Sequence, residues 1–292
     1  MTKPRATLIG FTAVLMWGLL AYLSKLASGL PPFQMMAMGF GIGGLVGVAS
    51  WPFRPEARKV LLSQGWLVWV WNVAGLFGCH LVYFIAVRNG PVAEVSLISY
   101  TWPLLIVVFS ALTPGEKLRG HHIMGVVLSV IGAYLVISKG TLSAFSGGLT
   151  LGHLIAIPYA FMWAAFSVSI RRFGNIPSDI VAGFCLACAA LSWFCHFLFE
   201  TTQWSLSTGQ WLAILGLGIL PMGAAFYAWD FGMKRGDRII LGAASYAAPL
   251  ISTLVLLGAG MTTYHWSIAL ACLLITAGAV IASKDMLFKH ST

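Results

Sequence analysis

The residues able to do chemistry in this 292-residue chain are polar and aromatic side chains set inside long apolar runs. His80, Tyr83, Phe84 and Val87 recur at i, i+3, i+4 and i+7, which puts them on one helix face. Ser99, Tyr100, Trp102 and Pro103 follow in the next run, and Tyr159, Trp163 and Ser167 form a stripe further on. A histidine in so apolar a setting must face a cavity or a partner group, because burying it alone is costly. The pattern suits recognition of a small molecule: flat rings for an apolar group, imidazole and hydroxyls for its polar end. Helix packing is the competing reading for the aromatic stripe, and a bond to a neighbouring helix is the competing reading for His80.

Catalysis would need a nucleophile beside a base, or a cluster of metal ligands. No such constellation stands out. Cys79, Cys185, Cys188, Cys195 and Cys272 all lie in apolar runs. Cys185-x-x-Cys188 has redox or zinc spacing but lacks a second pair, so it reads as apolar filling. We therefore expect a non-enzyme with no metal and no cofactor. Asp230, on the face of Phe226 and Tyr227, could carry a proton or pair with Lys234 four residues on. His80 is the other possible coupling group. Glu94 is expected to be solvated near the outer end of its segment, His196 to sit near an interface, and His121-His122 to be a loop pair without ligand partners.

The elements that must position these groups are membrane helices. Hydrophobic residues make up 59% of the chain and charged residues 9%, and the mean hydropathy is +0.88. A soluble domain carries about 25% charged residues. The net charge of +9 comes without a basic run, so no nucleic-acid partner is expected. A spanning helix needs roughly 20 apolar residues. Ten candidates follow: 7–27, 33–51, 66–88, 91–113, 121–138, 152–172, 178–199, 211–234, 238–259 and 264–283. The first reads as an uncleaved span rather than a signal peptide. The short loops leave no room for an ATPase module, and a Walker-type Gly-Lys-Ser/Thr is absent.

A second pattern organises the ten. Ser-Tyr-Thr-Trp-Pro-Leu at 99–104 returns as Ser-Tyr-Ala-Ala-Pro-Leu at 245–250, an offset of 146 residues. The same offset joins Met16-Trp17 to Met162-Trp163, Pro31 to Pro177, Gly90 to Gly236 and Gly132-Ala133 to Gly278-Ala279. A constant offset indicates duplication, with repeats at 1–146 and 147–292. Pro103 and Pro249 each remove a backbone hydrogen bond and are expected hinges. Ser245 and Tyr246, the counterparts of Ser99 and Tyr100, join the candidate binding residues, as do Trp17, the counterpart of Trp163, and Tyr227 beside Asp230. Gly39, Gly43 and Gly47 form a small-residue stripe that lets a neighbouring helix approach.

Charge sets the orientation. With a cytoplasmic N-terminus, only Lys25, Arg88 and Lys139 of the 17 Lys and Arg fall outside. Both termini are then expected in the cytoplasm. Five helices per repeat is an odd number, so the second repeat must be inverted. The expected fold is an all-α integral membrane protein of ten helices in two inverted five-helix repeats. Its substrate site should lie near the midplane, as in secondary transporters.

These residues also carry a resemblance. Each half has a helix with a central Trp, a helix ending in Arg88-Asn89-Gly90 or Lys234-Arg235-Gly236, the Ser-Tyr-x-x-Pro-Leu helix and a helix with Gly-Ala near its end. The first half adds Pro114-Gly115-Glu116-Lys117-Leu118, which Thr262-Thr263-Tyr264 replaces in the second. Over essentially its whole length the chain resembles the EamA-type repeats of the drug/metabolite transporter superfamily. The Trp- and Tyr-rich central helices and His80-x-x-Tyr83-Phe84 are similar to the YddG-type aromatic amino-acid exporters. The resemblance implies export across the plasma (inner) membrane.

The expected function is alternating-access transport of amino acids, aromatic ones included, down their gradient. Lys25, Arg88, Arg171 and Arg172 lie near helix ends, which argues against phosphorylated substrates. A proton-coupled drug or toxic-metabolite exporter is the alternative. The expected partners are the substrate and the lipid bilayer. The glycine stripe does not establish a dimer, and a monomer would suffice.

Overall fold

The computed structural model describes residues 1–53, 55–113, 118–141, 149–282 and 284. Arg54, Pro114–Lys117 and Lys289, which entered the sequence argument, lie outside the described residues. Among the described residues every regular element is helical.

Among the described residues seven helical segments are long and apolar enough to cross a membrane. Lys3–Leu26 is α1 (Lys3–Gly18) followed by α2 (Leu20–Leu26). Pro32–Phe53 is α3 (Pro32–Ala49) and a short 3-10 turn, after which α4 (Pro55–Ser63) is a polar connector. Trp66–Arg88 is α5. Leu151–Phe173 contains α9 (Leu151–Ser169), Ser178–Phe199 contains α10 (Val181–Phe199), and Thr208–Arg235 contains α11 (Thr208–Ile219) and α12 (Ala225–Arg235). Arg238–Gly258 contains α13 (Arg238–Ala244) and α14 (Ala247–Gly258). The shorter apolar helices are α7 (Trp102–Ala111), which follows α6 (Val92–Ser99), α8 (Gly120–Ile137) and α15 (Trp266–Ala282).

Both proline motifs break their helix at the same place. α6 stops at Ser99 and α7 starts at Trp102, while α13 stops at Ala244 and α14 starts at Ala247. Proline has no N–H to donate, so the helix is interrupted just before Pro103 and Pro249.

The helices pack in pairs that follow the sequence offset. α8 lies along α15 and α3 along α10, each joining counterparts, while α1 on α12 is matched by α9 on α5. Glycines set the closest seams. A Cβ at Gly10 would stand 2.9 Å from the Cα of Gly232, so α1 and α12 touch backbone to backbone. Gly39, Gly43 and Gly47 face Met222, Gly223 and Tyr227, which makes the stripe a packing surface within the chain.

Local polar contacts fix the helix ends. Glu200 accepts the N–H groups of Phe33 and Gln34 at 3.1 and 3.2 Å, so a carboxylate caps the start of α3. His196 is fully buried between Glu200 and Thr202, each 2.8 Å away. Two sequence expectations need correction. Glu94 is not solvated: its Oε2 lies 2.6 Å from Nε2 of His153, whose Nδ1 accepts the Thr150 N–H at the start of α9. His121 and His122 are not a loop pair but open α8, with His122 Nδ1 accepting the Arg119 N–H.

Candidate functional site

The two breaks and the central tryptophans enclose a cavity of about 160 Å³. α1 supplies Trp17, α5 His80 and Tyr83, the α6–α7 break Ser99, Tyr100 and Trp102, and α9 Tyr159 and Trp163. Eight of the eleven expected binding residues therefore meet in one place. Phe226 and Ala248 close the second-half side.

The three tryptophans of the cavity pack as a box of rings. Trp17 meets Trp163 edge-on at 5.8 Å and Trp102 at 6.4 Å, and Trp102 meets Trp163 at 6.2 Å. Edge-to-face pairs of this kind contribute about 0.5–1.5 kcal/mol each beyond area burial. Trp17 is also aimed by its indole, which donates to the Pro221 carbonyl at 3.1 Å. That carbonyl belongs to a π-turn, Leu220–Ala224, that joins α11 to α12. Trp229 lies beneath Trp17 at 5.1 Å and donates to Ser167 Oγ at 3.2 Å.

The hydrogen-bonding groups of the walls are His80, Ser99 and the tyrosines, and among the described residues no Lys, Arg, Asp or Glu lines the cavity. His80 Nδ1 lies 2.7 Å from the Leu76 carbonyl oxygen. An oxygen of that kind only accepts, so Nδ1 carries a proton, and in the neutral imidazole Nε2 is left as the acceptor. Ser99 Oγ is buried and has no hydrogen-bond partner among the described residues. Tyr83 and Tyr159 pack at 5.2 Å, with their rings forming one wall.

Three expected binding residues lie elsewhere. Tyr227 donates to the Gly43 carbonyl at 3.2 Å and faces a second, more open groove with Ser178, Asp179 and Lys234. Ser245 is fully buried, its hydroxyl donating to the Leu241 carbonyl at 2.7 Å. The Tyr246 hydroxyl accepts the Leu104 N–H at 3.1 Å. Asp230 is held by Lys234 at 2.7 Å, and Lys234 also donates to the Ile176 carbonyl at 3.0 Å. The sequence reasoning missed Phe226 and Trp229. A signal existed, because they stand 146 residues after His80 and Tyr83.

The family model described as the EamA-like transporter family matches residues 4–138 and again 150–284. The chain belongs to the EamA-like transporter family. As a member of that family it is a multi-pass membrane transporter. A relative from Ancylobacter novellus, named aromatic amino acid exporter YddG, is 46% identical over 97% of this EamA-like chain and 98% of its own. The Escherichia coli protein of the same name is 26% identical over 92% of this chain and 94% of its own. A crystal structure with 45% sequence identity superposes with a TM-score of 0.90, covering 99% of this chain and 100% of the other.

Proposed function

We propose that this chain carries aromatic and other apolar amino acids out of the cell across the inner membrane. The observation that carries this reading is the cavity itself: three tryptophans and neutral hydrogen-bonding groups on its walls, and no charged side chain among the described residues that line it. An engineered protein cavity of about 150 Å³ holds benzene, so about 160 Å³ suits one aromatic ring. The name of the 46%-identical relative supports the same substrate class.

In this reading the side chain enters the Trp17, Trp102 and Trp163 box. His80 Nε2 accepts from the substrate ammonium or, for tryptophan, the indole N–H. Ser99 and Tyr100 donate to the carboxylate. A zwitterion can be bound this way without a permanent counter-charge, because its two charges offset each other at a distance.

The chain crosses the membrane ten times as two inverted repeats, 1–146 and 147–292, with both termini in the cytoplasm. The charge distribution supports this topology. The cavity then opens outward, and the groove beside Tyr227 opens inward. One aromatic layer separates them: Trp17 and Phe226 line the cavity, and their chain neighbours Met16 and Tyr227 line the groove. Alternating access needs only that layer to change sides, with Pro103 and Pro249 as the bending points. Transport is facilitated rather than proton-driven, since Asp230 is engaged by Lys234.

Uptake of labelled tryptophan and phenylalanine into proteoliposomes, with and without an imposed pH gradient, tests the proposal. Saturable uptake indifferent to the pH gradient is expected. Absence of uptake for every amino acid would overturn the substrate class, and uptake driven only by the pH gradient would overturn the uniport.

A further inference from the structure

The two Ser-Tyr-x-x-Pro-Leu motifs have the same sequence pattern and different partners. In the first, Ser99 and Tyr100 line the cavity. In the second, Ser245 is fully buried and Tyr246 is 2% exposed. The Tyr246 hydroxyl accepts the N–H of Leu104, the residue that ends the first motif. Leu104 lies in the first turn of α7, where an N–H has no carbonyl within its own helix. One motif therefore caps the broken helix of the other.

The packing around this bond is equally one-sided. α13 packs closely on α7: a Cβ at Gly242 would lie 3.0 Å from the Pro103 carbonyl oxygen. The counterpart pair under the 146-residue offset is α6 with α14. Among the described residues no comparable packing joins those two, and the cavity with Tyr100 and Ala248 on its walls lies there instead.

We propose that the two motifs exchange roles, so that the substrate site has a second, mutually exclusive half made by Ser245 and Tyr246. When the cavity opens to the other side, α6 closes on α14 and the Tyr100 hydroxyl takes the N–H of Leu250, the counterpart of Leu104. Tyr246 leaves Leu104, and Ser245 and Tyr246 present to an amino-acid carboxylate the hydroxyls that Ser99 and Tyr100 present now. Trp17 pairs with Trp163, and Trp102 with Ala248, under the same offset, so both members of each pair serve either half-site. Tyr83 is replaced by Trp229, which is freed from Ser167. This inference rests on the alternating-access reading above.

Cysteine accessibility tests it without substrate. In a background with Cys79 and the other native cysteines replaced, Ser99→Cys should react with an impermeant maleimide from the cavity side. Ser245→Cys should react only from the opposite side. Losing one backbone hydrogen bond shifts a two-state balance about five-fold. Tyr246→Phe should therefore slow labelling of Ser99→Cys and speed labelling of Ser245→Cys by that order. Tyr100→Phe should do the reverse, and the double Tyr→Phe variant should return both rates towards the parent. Both cysteines moving in the same direction, or neither moving, would overturn the exchange. If the rates exchange as stated but no amino acid is transported, the substrate reading fails and the latch stands. If transport is intact but the rates do not exchange, the latch alone fails.

Discussion

The indole nitrogen of Trp17 donates to the carbonyl of Pro221 at 3.1 Å, across 204 positions of chain. A residue that walls the cavity is thereby fastened to the π-turn at which α11 passes into α12. Such turns break the regular helix ladder and concentrate at functional positions. Trp163, the counterpart of Trp17, shares its contacts with Trp102 and Phe226 but makes no indole hydrogen bond among the described residues.

This difference separates the two tryptophans. Trp17→Phe keeps an aromatic wall but leaves the Pro221 carbonyl without its donor. It should lower the maximal transport rate by about five- to ten-fold, the loss expected for one buried hydrogen bond. Trp163→Phe should alter the rate less than two-fold. Initial rates across a phenylalanine concentration series would separate KM from the maximal rate for both.

His80→Gln should raise the KM for phenylalanine about ten-fold, since a hydrogen bond to a charged group contributes about 1.5–3 kcal/mol. The same variant should remain indifferent to an imposed pH gradient. A pH-gradient response that is present in the parent and lost in His80→Gln would instead make His80 a proton carrier.

Asp230 and Lys234 form a pair with side chains 7% and 3% exposed. Removing one charge strands the other. Lys234→Met alone should cost about 3–5 kcal/mol of stability, while Asp230→Asn with Lys234→Met should recover most of it. Thermal unfolding in detergent reads the difference. Transport by the double variant should persist, because the account gives Asp230 a structural role.

The Gly10–Gly232 contact leaves no room for a side chain, since a Cβ on Gly232 would come 2.5 Å from the Gly10 Cα. Gly232→Val must push α1 from α12 and should cost about 1–3 kcal/mol. Gly258, the last residue of α14, has nothing within 4 Å of its Cβ position, so Gly258→Ala should not lower the melting temperature and serves as the control in the same assay.

The fold was largely legible because apolar run length and the 146-residue offset are properties of the chain itself. The offset located both helix breaks, at Pro103 and Pro249, and paired Trp17 with Trp163. What it could not reveal is which half stands open. Ser245 and Tyr246 share a motif with Ser99 and Tyr100, yet a duplicated sequence in an asymmetric conformation gives equal residues unequal surroundings. Phe226 and Trp229 escaped notice because Phe and Trp in an apolar helix look like ordinary packing, although the offset from His80 and Tyr83 pointed to them. The Glu94–His153 contact was hidden for another reason: no periodic pattern links residues on α6 and α9, and only the fold brings them together.

The central claim is that an aromatic amino acid occupies the cavity walled by Trp17, Trp102 and Trp163. Counterflow of labelled phenylalanine in proteoliposomes tests it directly, with the parent protein and Trp163→Ala side by side. The account predicts saturable exchange in the parent, competed by tryptophan but not by benzylamine, which lacks the carboxylate. It predicts at least about a ten-fold loss of exchange in Trp163→Ala, the scale of removing one ring from an aromatic cluster. Exchange in Trp163→Ala equal to that of the parent, or equal competition by benzylamine, would contradict it.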